Sequence, residues 1–345
     1  MKTGRNGENA MIGKRWKTAA AALAAFAVLW TSGPGIAAAR IPERVTVGGV
    51  PFGVRFPAEG VVVIGFSAAE EGELNPAYAA GLRQGDVITA VDGEAVTTAE
   101  ELTERINAGG GLVEITYLRD REEKVALLCP RESENGRRAG MWIRDTVAGI
   151  GTVTFLLEDD LSFGGLGHGI CRGDTGELLS VPDAEVTEVT ITGVVKGAPG
   201  EPGELRGVFT GERRGRLNAN TECGVFGVYE KSLPDGCGKT VPVAPRDEVH
   251  PGRASILCTL EGREPGEYEI CITDIDRRSR NNRSFSVVVT DRDLLERTGG
   301  IVQGMSGSPI LQDGRLVGAV THVLVGDPAE GYGIFIDNMF EAMGA

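Results

Sequence analysis

The sequence predicts a mainly β chain, with a small α+β domain followed by an all-β double barrel. Three observations carry that expectation. Fifty-one glycines and an aromatic content of only 6% favour tight turns and short strands over long helices. After Met141 the apolar runs are short and strand-like, and Gly- and Pro-rich turns such as residues 197–203 separate them. Before it, two helical stretches sit between strand-like runs.

Length and composition set the outer bounds. A chain of 345 residues suggests about two domains, and a 41% hydrophobic content is enough for real cores. A formal net charge of −14 argues against nucleic acid as a partner, because that role needs a basic face that displaces counterions. A basic protein or peptide segment fits such a surface better.

Residues 1–40 read as an export segment. Lys2, Arg5, Lys14, Arg15 and Lys17 precede an apolar run from Ala19 to Trp30, and Ala37-Ala38-Ala39 satisfies the small-residue rule for cleavage. Extension of the run through Ile36 to Ala39 would instead make an uncleaved membrane anchor, so both outcomes stay open.

Residues 44–129 form the α+β segment. Val45 to Val50, Val61 to Phe66, Val113 to Leu118 and Lys124 to Leu128 are strand-like. Asn75 to Leu82 and Thr98 to Ile106 are helical, the second with a threonine N-cap and Glu100 and Glu101 in its first turn. Gly81 suits a helix end, Gly85-Asp86 a turn, and Asp92-Gly93 a tight hairpin. The run from Ala80 to Ile88, followed by Val91-Asp92-Gly93, resembles the PDZ family. That resemblance implies an extended peptide or C-terminal ligand, the chain's own end included, added as a strand beside a loop of backbone N–H groups. The matching loop is Pro51-Phe52-Gly53-Val54, with Gly53 admitting a carboxylate and Phe52 and Val54 lining an apolar pocket. The competing role for these residues is a plain structural hairpin.

Residues 130–140 are polar and read as a linker, and 141–345 as the double-barrel domain. There, Gly151 to Leu156, Val186 to Val195, Glu267 to Thr273, Ser284 to Val289 and Gly314 to Thr321 are strands. Six cysteines (129, 171, 223, 237, 258 and 271) allow fifteen full pairings and include no C-x-x-C. They read first as small buried hydrophobes.

Chemistry concentrates in Gly304-Met305-Ser306-Gly307-Ser308-Pro309. Serine attacks only when a base takes its proton and donors fix the oxyanion. Flanking glycines permit a turn that exposes the hydroxyl and gathers backbone N–H groups. A strand, the Asp313-Gly314 turn and a second strand follow, an order similar to that of chymotrypsin-like serine peptidases. By that resemblance the amides of Gly304 and Ser306 form the oxyanion hole. A flexible Gly/Ser turn is the alternative. The chain has three histidines. His168, in the glycine-rich corner Gly164 to Ile170, is the accessible candidate base. His322 follows a strand and either packs or lines the cleft, and His250 sits in a Pro-containing loop facing solvent. The chemistry needs no metal or organic cofactor.

Gly149 to Phe155, Gly165 to Ile170, Thr298 to Ile310, Thr321-His322-Val323 and Gly331-Tyr332-Gly333-Ile334 together resemble the sporulation stage IV protein B serine peptidases. The likeness implies an exported endopeptidase acting between forespore and mother cell, on a membrane-associated regulator of an intramembrane metalloprotease. Relief of that inhibition then activates a late sigma factor. The family's acidic position falls on Asp291, whose competing role is an N-cap for a helix over 292–297. Asp174, Asp183, Asp247, Asp274, Asp276 and Asp293 also lie between His168 and Ser306. The stretch 211–240 looks particular to this chain. A catalytically silent PDZ scaffold of the envelope is the rival function, and a fluorophosphonate adduct at Ser306 distinguishes the two. Trypsin-like quality-control proteases are a third, but they place the PDZ domain after the peptidase.

Overall fold

The computed structural model describes residues 41–68, 74–120, 122–133, 136–171, 176–181 and 184–344. The export segment, Asp174 and Asp183 lie outside the described residues. Among those described, no helix is long and apolar enough to cross a membrane.

Two six-stranded rings dominate. In the first, Met141–Leu157 pairs in turn with Ser162–Gly165, and the ring runs on through Gly224–Tyr229, Glu204–Thr221, Glu185–Val195 and Pro51–Phe66. Pairing of Pro51–Phe66 back to Met141–Leu157 closes it. The second is a closed barrel of Gly252–Cys258, Gly266–Thr273, Phe285–Val289, Asp327–Phe335, Arg315–Leu324 and Pro309–Gln312. Period-2 alternation explains the filling. Along Phe285–Val289 the inward residues Phe285, Val287 and Val289 are buried while those between are half-exposed. The mainly β, double-barrel expectation is met.

The PDZ part grows from the second half of Pro51–Phe66 and the first residues of Met141–Leu157. Val61 and Val62 pair with Ile88 and Val87, and the sheet continues through Val113–Arg119 to Glu122–Leu128. Helix Ala99–Ala108 starts at Thr98 with a complete capping box to Glu101 and buries Leu102 and Ile106 against this sheet. Gly85, at φ 95°, makes the turn that delivers Asp86. Both oxygens of that buried carboxylate accept from Arg119, at 2.7 Å each. Bidentate geometry lets a charge sit in a small core, and it raises the Arg119 guanidinium pKa.

Three expectations change. Residues 44–56 do not belong to the PDZ core. Arg44–Val47 pairs with Thr240–Pro242 and Met141–Leu157, and Val50, Phe52, Val54 and Phe56 pack inside the first barrel. The expected linker contains a hairpin, Arg131–Ser133 with Gly136–Arg138. The stretch 211–240 supplies strands of the first barrel as well as surface loop. All six cysteines are unpaired; Cys223 and Cys258 are buried, whereas Cys129 and Cys171 are exposed.

Candidate active site and peptide groove

The Ser306 loop is built by where its carbonyls go. Helix Arg292–Thr298 ends at Gly299, whose φ of 78° turns the chain into the loop. The carbonyl of Ser306 accepts from Thr152 N at 3.0 Å. Those of Gly304 and Gly307 accept from Thr152 Oγ1 at 2.8 Å and Thr154 Oγ1 at 2.7 Å. A strand of the first barrel therefore holds three loop carbonyls, using two threonines that share one strand face. A Cβ on Gly307 would lie 2.0 Å from Thr152 O, so only glycine lets the two barrels approach here. The amides of Met305, Gly307 and Ser308 donate to Val302, Val320 and Met305 carbonyls. Among the described residues the amides of Gly304 and Ser306 have no acceptor, as an oxyanion hole requires.

His168 stands on the corner that follows Ser162–Gly165. Asn220 secures that corner: its Oδ1 accepts from Ile170 N, and its Nδ2 donates to the Ile170 and Leu179 carbonyls. His168 Nδ1 lies 2.9 Å from Gly169 O. A carbonyl only accepts, so Nδ1 carries the proton and Nε2 keeps its lone pair. Burial holds the imidazole pKa below its ordinary value, while the Gly169 carbonyl pulls the other way. The ring is consequently a neutral base at neutral pH.

The second barrel links Ser306 to His168 indirectly, through two adjacent residues, and among the described residues no hydrogen bond joins the serine to the imidazole. Ser306 Oγ donates to Thr321 O at 2.8 Å, and the next residue, His322, lies against the His168 ring with centroids 5.0 Å apart. The rings open on a cavity of about 210 Å³ that Cys171, Leu178, Glu222 and Asn282 also line. The serine proton is thus directed at a backbone carbonyl.

Asp291 is not brought to an imidazole. Its Oδ1 accepts from Leu294 N at 3.0 Å and its Oδ2 from Glu269 N at 3.3 Å. The carboxylate is spent on capping Arg292–Thr298, the helix that feeds the Ser306 loop. His250 faces solvent beside Asp313, whose carboxylate raises its pKa. Among the described residues no cluster of three or more His, Cys, Asp or Glu is arranged to hold a metal ion.

The expected peptide loop Pro51-Phe52-Gly53-Val54 is corrected outright. Both of its edges are already paired, with Gly149 to Thr152 on one side and Val186 to Glu188 on the other. Phe52 is buried in the barrel, and a Cβ on Gly53 would meet Phe209 at 2.4 Å. No free N–H row remains there for a ligand. The arrangement that takes extended peptides in PDZ domains, a strand edge beside a helix, is found at Val62–Phe66 and Ala99–Ala108. The chain itself fills it: Phe66, Gly65, Val63 and Val62 pair antiparallel with Met141, Trp142, Ile143 and Arg144. Met141 and Ile143 pack against the core that holds Leu102 and Ile106. A cavity of about 700 Å³ remains beside them, with Arg131 and Arg138 on its rim. Sequence reasoning missed Thr152, Thr154, Asn220 and this self-pairing. Only the Thr-x-Thr alternation was visible as a signal.

The SpoIVB peptidase S55 family matches residues 135–340, and a PDZ domain family matches residues 75–119. The PDZ domain of the SdrC-like protein from Listeria monocytogenes, a crystal structure, is 23% identical with a TM-score of 0.22. The match covers 26% of this chain and 93% of that one. No curated protein matches the sequence. The S55 match spans more than half of the chain, over the second barrel, five of the six strands of the first and the Ser306 loop, so the protein belongs to the SpoIVB peptidase S55 family of serine peptidases and carries a PDZ domain.

Proposed function

We propose that the protein is an exported endopeptidase of sporulation in which Ser306 is the nucleophile and His168 the general base. The observation that carries this reading is the pair of unpartnered amides, Gly304 and Ser306, on a loop packed against the His168 corner. His168 Nε2 takes the Ser306 proton as Oγ attacks a peptide carbonyl, and the two amides hold the oxyanion. The imidazolium then returns the proton to the leaving amine, and water repeats the sequence on the acyl-enzyme. The Gly169 carbonyl keeps the productive tautomer throughout. Asp291 supports the loop as a cap and stays outside the proton path.

The substrate in this reading is a membrane-associated regulator of an intramembrane metalloprotease. Its limited cleavage in the space between forespore and mother cell promotes late sigma-factor activation. Family membership and the basic, alanine-rich leader support that assignment. The test is cleavage of the candidate regulator by purified protein and by Ser306→Ala. Loss of cleavage in the variant is expected. Undiminished cleavage overturns the assignment and favours a scaffold acting through its PDZ part.

A further inference from the structure

His322 has no role in the chemistry above, yet its surroundings single it out. Its ring lies on His168 with the planes inclined at 38°. The backbone leading into it is pinned, since Thr321 Oγ1 donates to Asn282 O and Tyr332 O. That same backbone offers the carbonyl on which Ser306 Oγ rests. Its Nδ1 is buried without a partner among the described residues. An orphaned polar atom of this kind is a cost that a leucine or phenylalanine at the same position would avoid.

The charge around it has a consistent sense. His168 faces it from the corner after Ser162–Gly165, and Tyr332 is its partner across the strand pair. Arg283, whose guanidinium lies over the Tyr332 ring, adds positive charge. Glu222 and Cys171 stand across the cavity. Burial first, then His168 and Arg283, push the His322 pKa down to about 4. The ring is therefore uncharged at neutral pH. An uncharged neighbour is what a base that becomes an imidazolium requires, because a second positive charge would oppose proton transfer. Its π face attracts the imidazolium instead.

We propose that His322 is a positioning residue of the peptidase, a ring packed on His168 that fixes the base and steadies its transient imidazolium. It would do so in a site where no carboxylate bonds His168 among the described residues. The inference rests on the reading of His168 as the base. The proton moves from Ser306 Oγ to His168 Nε2 and on to the leaving amine, and His322 gains and loses none.

The test is the rate at which a fluorophosphonate phosphonylates Ser306 Oγ, with loss of fluoride, in the full chain between about pH 5 and 9. His322→Ala is expected to slow phosphonylation at neutral pH by roughly tenfold or more. It should also move the acid limb to higher pH, because water entering the site removes the burial that depresses His168. His322→Phe restores an uncharged ring face and should recover most of the lost rate. Labelling of His322→Ala at the wild-type rate with an unmoved acid limb overturns the proposal. So does a loss in His322→Phe as deep as in His322→Ala, a comparison that survives if the alanine variant folds poorly. Full labelling of His168→Ala is a separate result, which would sink the reading of the base itself.

Discussion

The two grooves of this protein differ in what occupies them. Among the described residues the candidate cleft leaves groups unpaired: two loop amides without acceptors and an imidazole nitrogen with its lone pair free. The PDZ groove leaves almost nothing unpaired, because Met141 to Arg144 already lies along Val62 to Phe66 as an added strand. One strand, Met141–Leu157, serves both. Its first residues fill the groove, and Thr152 and Thr154 further on hold the Ser306 loop. Open chemistry and closed recognition are thus built on a single stretch of backbone, and each can be perturbed separately.

The largest separation is expected from Ser306→Ala. Peptidase turnover should fall by roughly 10³- to 10⁶-fold, while thermal unfolding of the chain stays within a degree or two, as befits a half-buried hydroxyl. Turnover assays and scanning calorimetry on one preparation check this. Next is Ile143→Asp, which sets a charge against the PDZ core and should weaken the added strand by about 2–3 kcal/mol. Amide hydrogen exchange at Val62 to Phe66 should speed up, with a smaller change at Ser306. Equal acceleration at both places would mean that the two grooves are not separable.

Thr152→Val reverses the emphasis. It orphans the Gly304 carbonyl at a cost of about 1–3 kcal/mol, so turnover should drop roughly tenfold while exchange at Val62 to Phe66 is unchanged. Asp291→Ala should be the mildest, removing a cap worth about 0.5–2 kcal/mol and lowering stability more than turnover. The pH profile sharpens the same contrast. In the proposed mechanism His168 acts as the neutral ring, and burial lowers its pKa, so the acid limb of turnover should fall below the range of an ordinary imidazole. A limb at or above that range would place the base elsewhere.

Much of this anatomy is legible in the amino-acid sequence. The glycine-bounded loop that carries Ser306, the helix capped at Thr98 and the paired barrels follow from glycine placement, strand alternation and capping chemistry, all of which are local. What is not legible is non-local. Pro51 to Val54 looks like a PDZ loop because it precedes the PDZ-like segment. Which edge of an apolar strand is free depends on partners a hundred residues away, here Gly149 to Thr152 and Val186 to Glu188. Asp291 offers two roles from one spacing. The helix claims it, since Leu294 N and Glu269 N both need an acceptor.

The arrangement of Ser306 and His168 without Asp291 is tested most directly by fluorophosphonate labelling of Ser306 in His168→Ala and Asp291→Asn. Asparagine keeps the cap and removes only the charge. The expected result is no adduct in His168→Ala and, in Asp291→Asn, an adduct forming within a few-fold of the wild-type rate. An Asp291→Asn protein that is fully folded yet unlabelled would contradict it and return the carboxylate to the proton path.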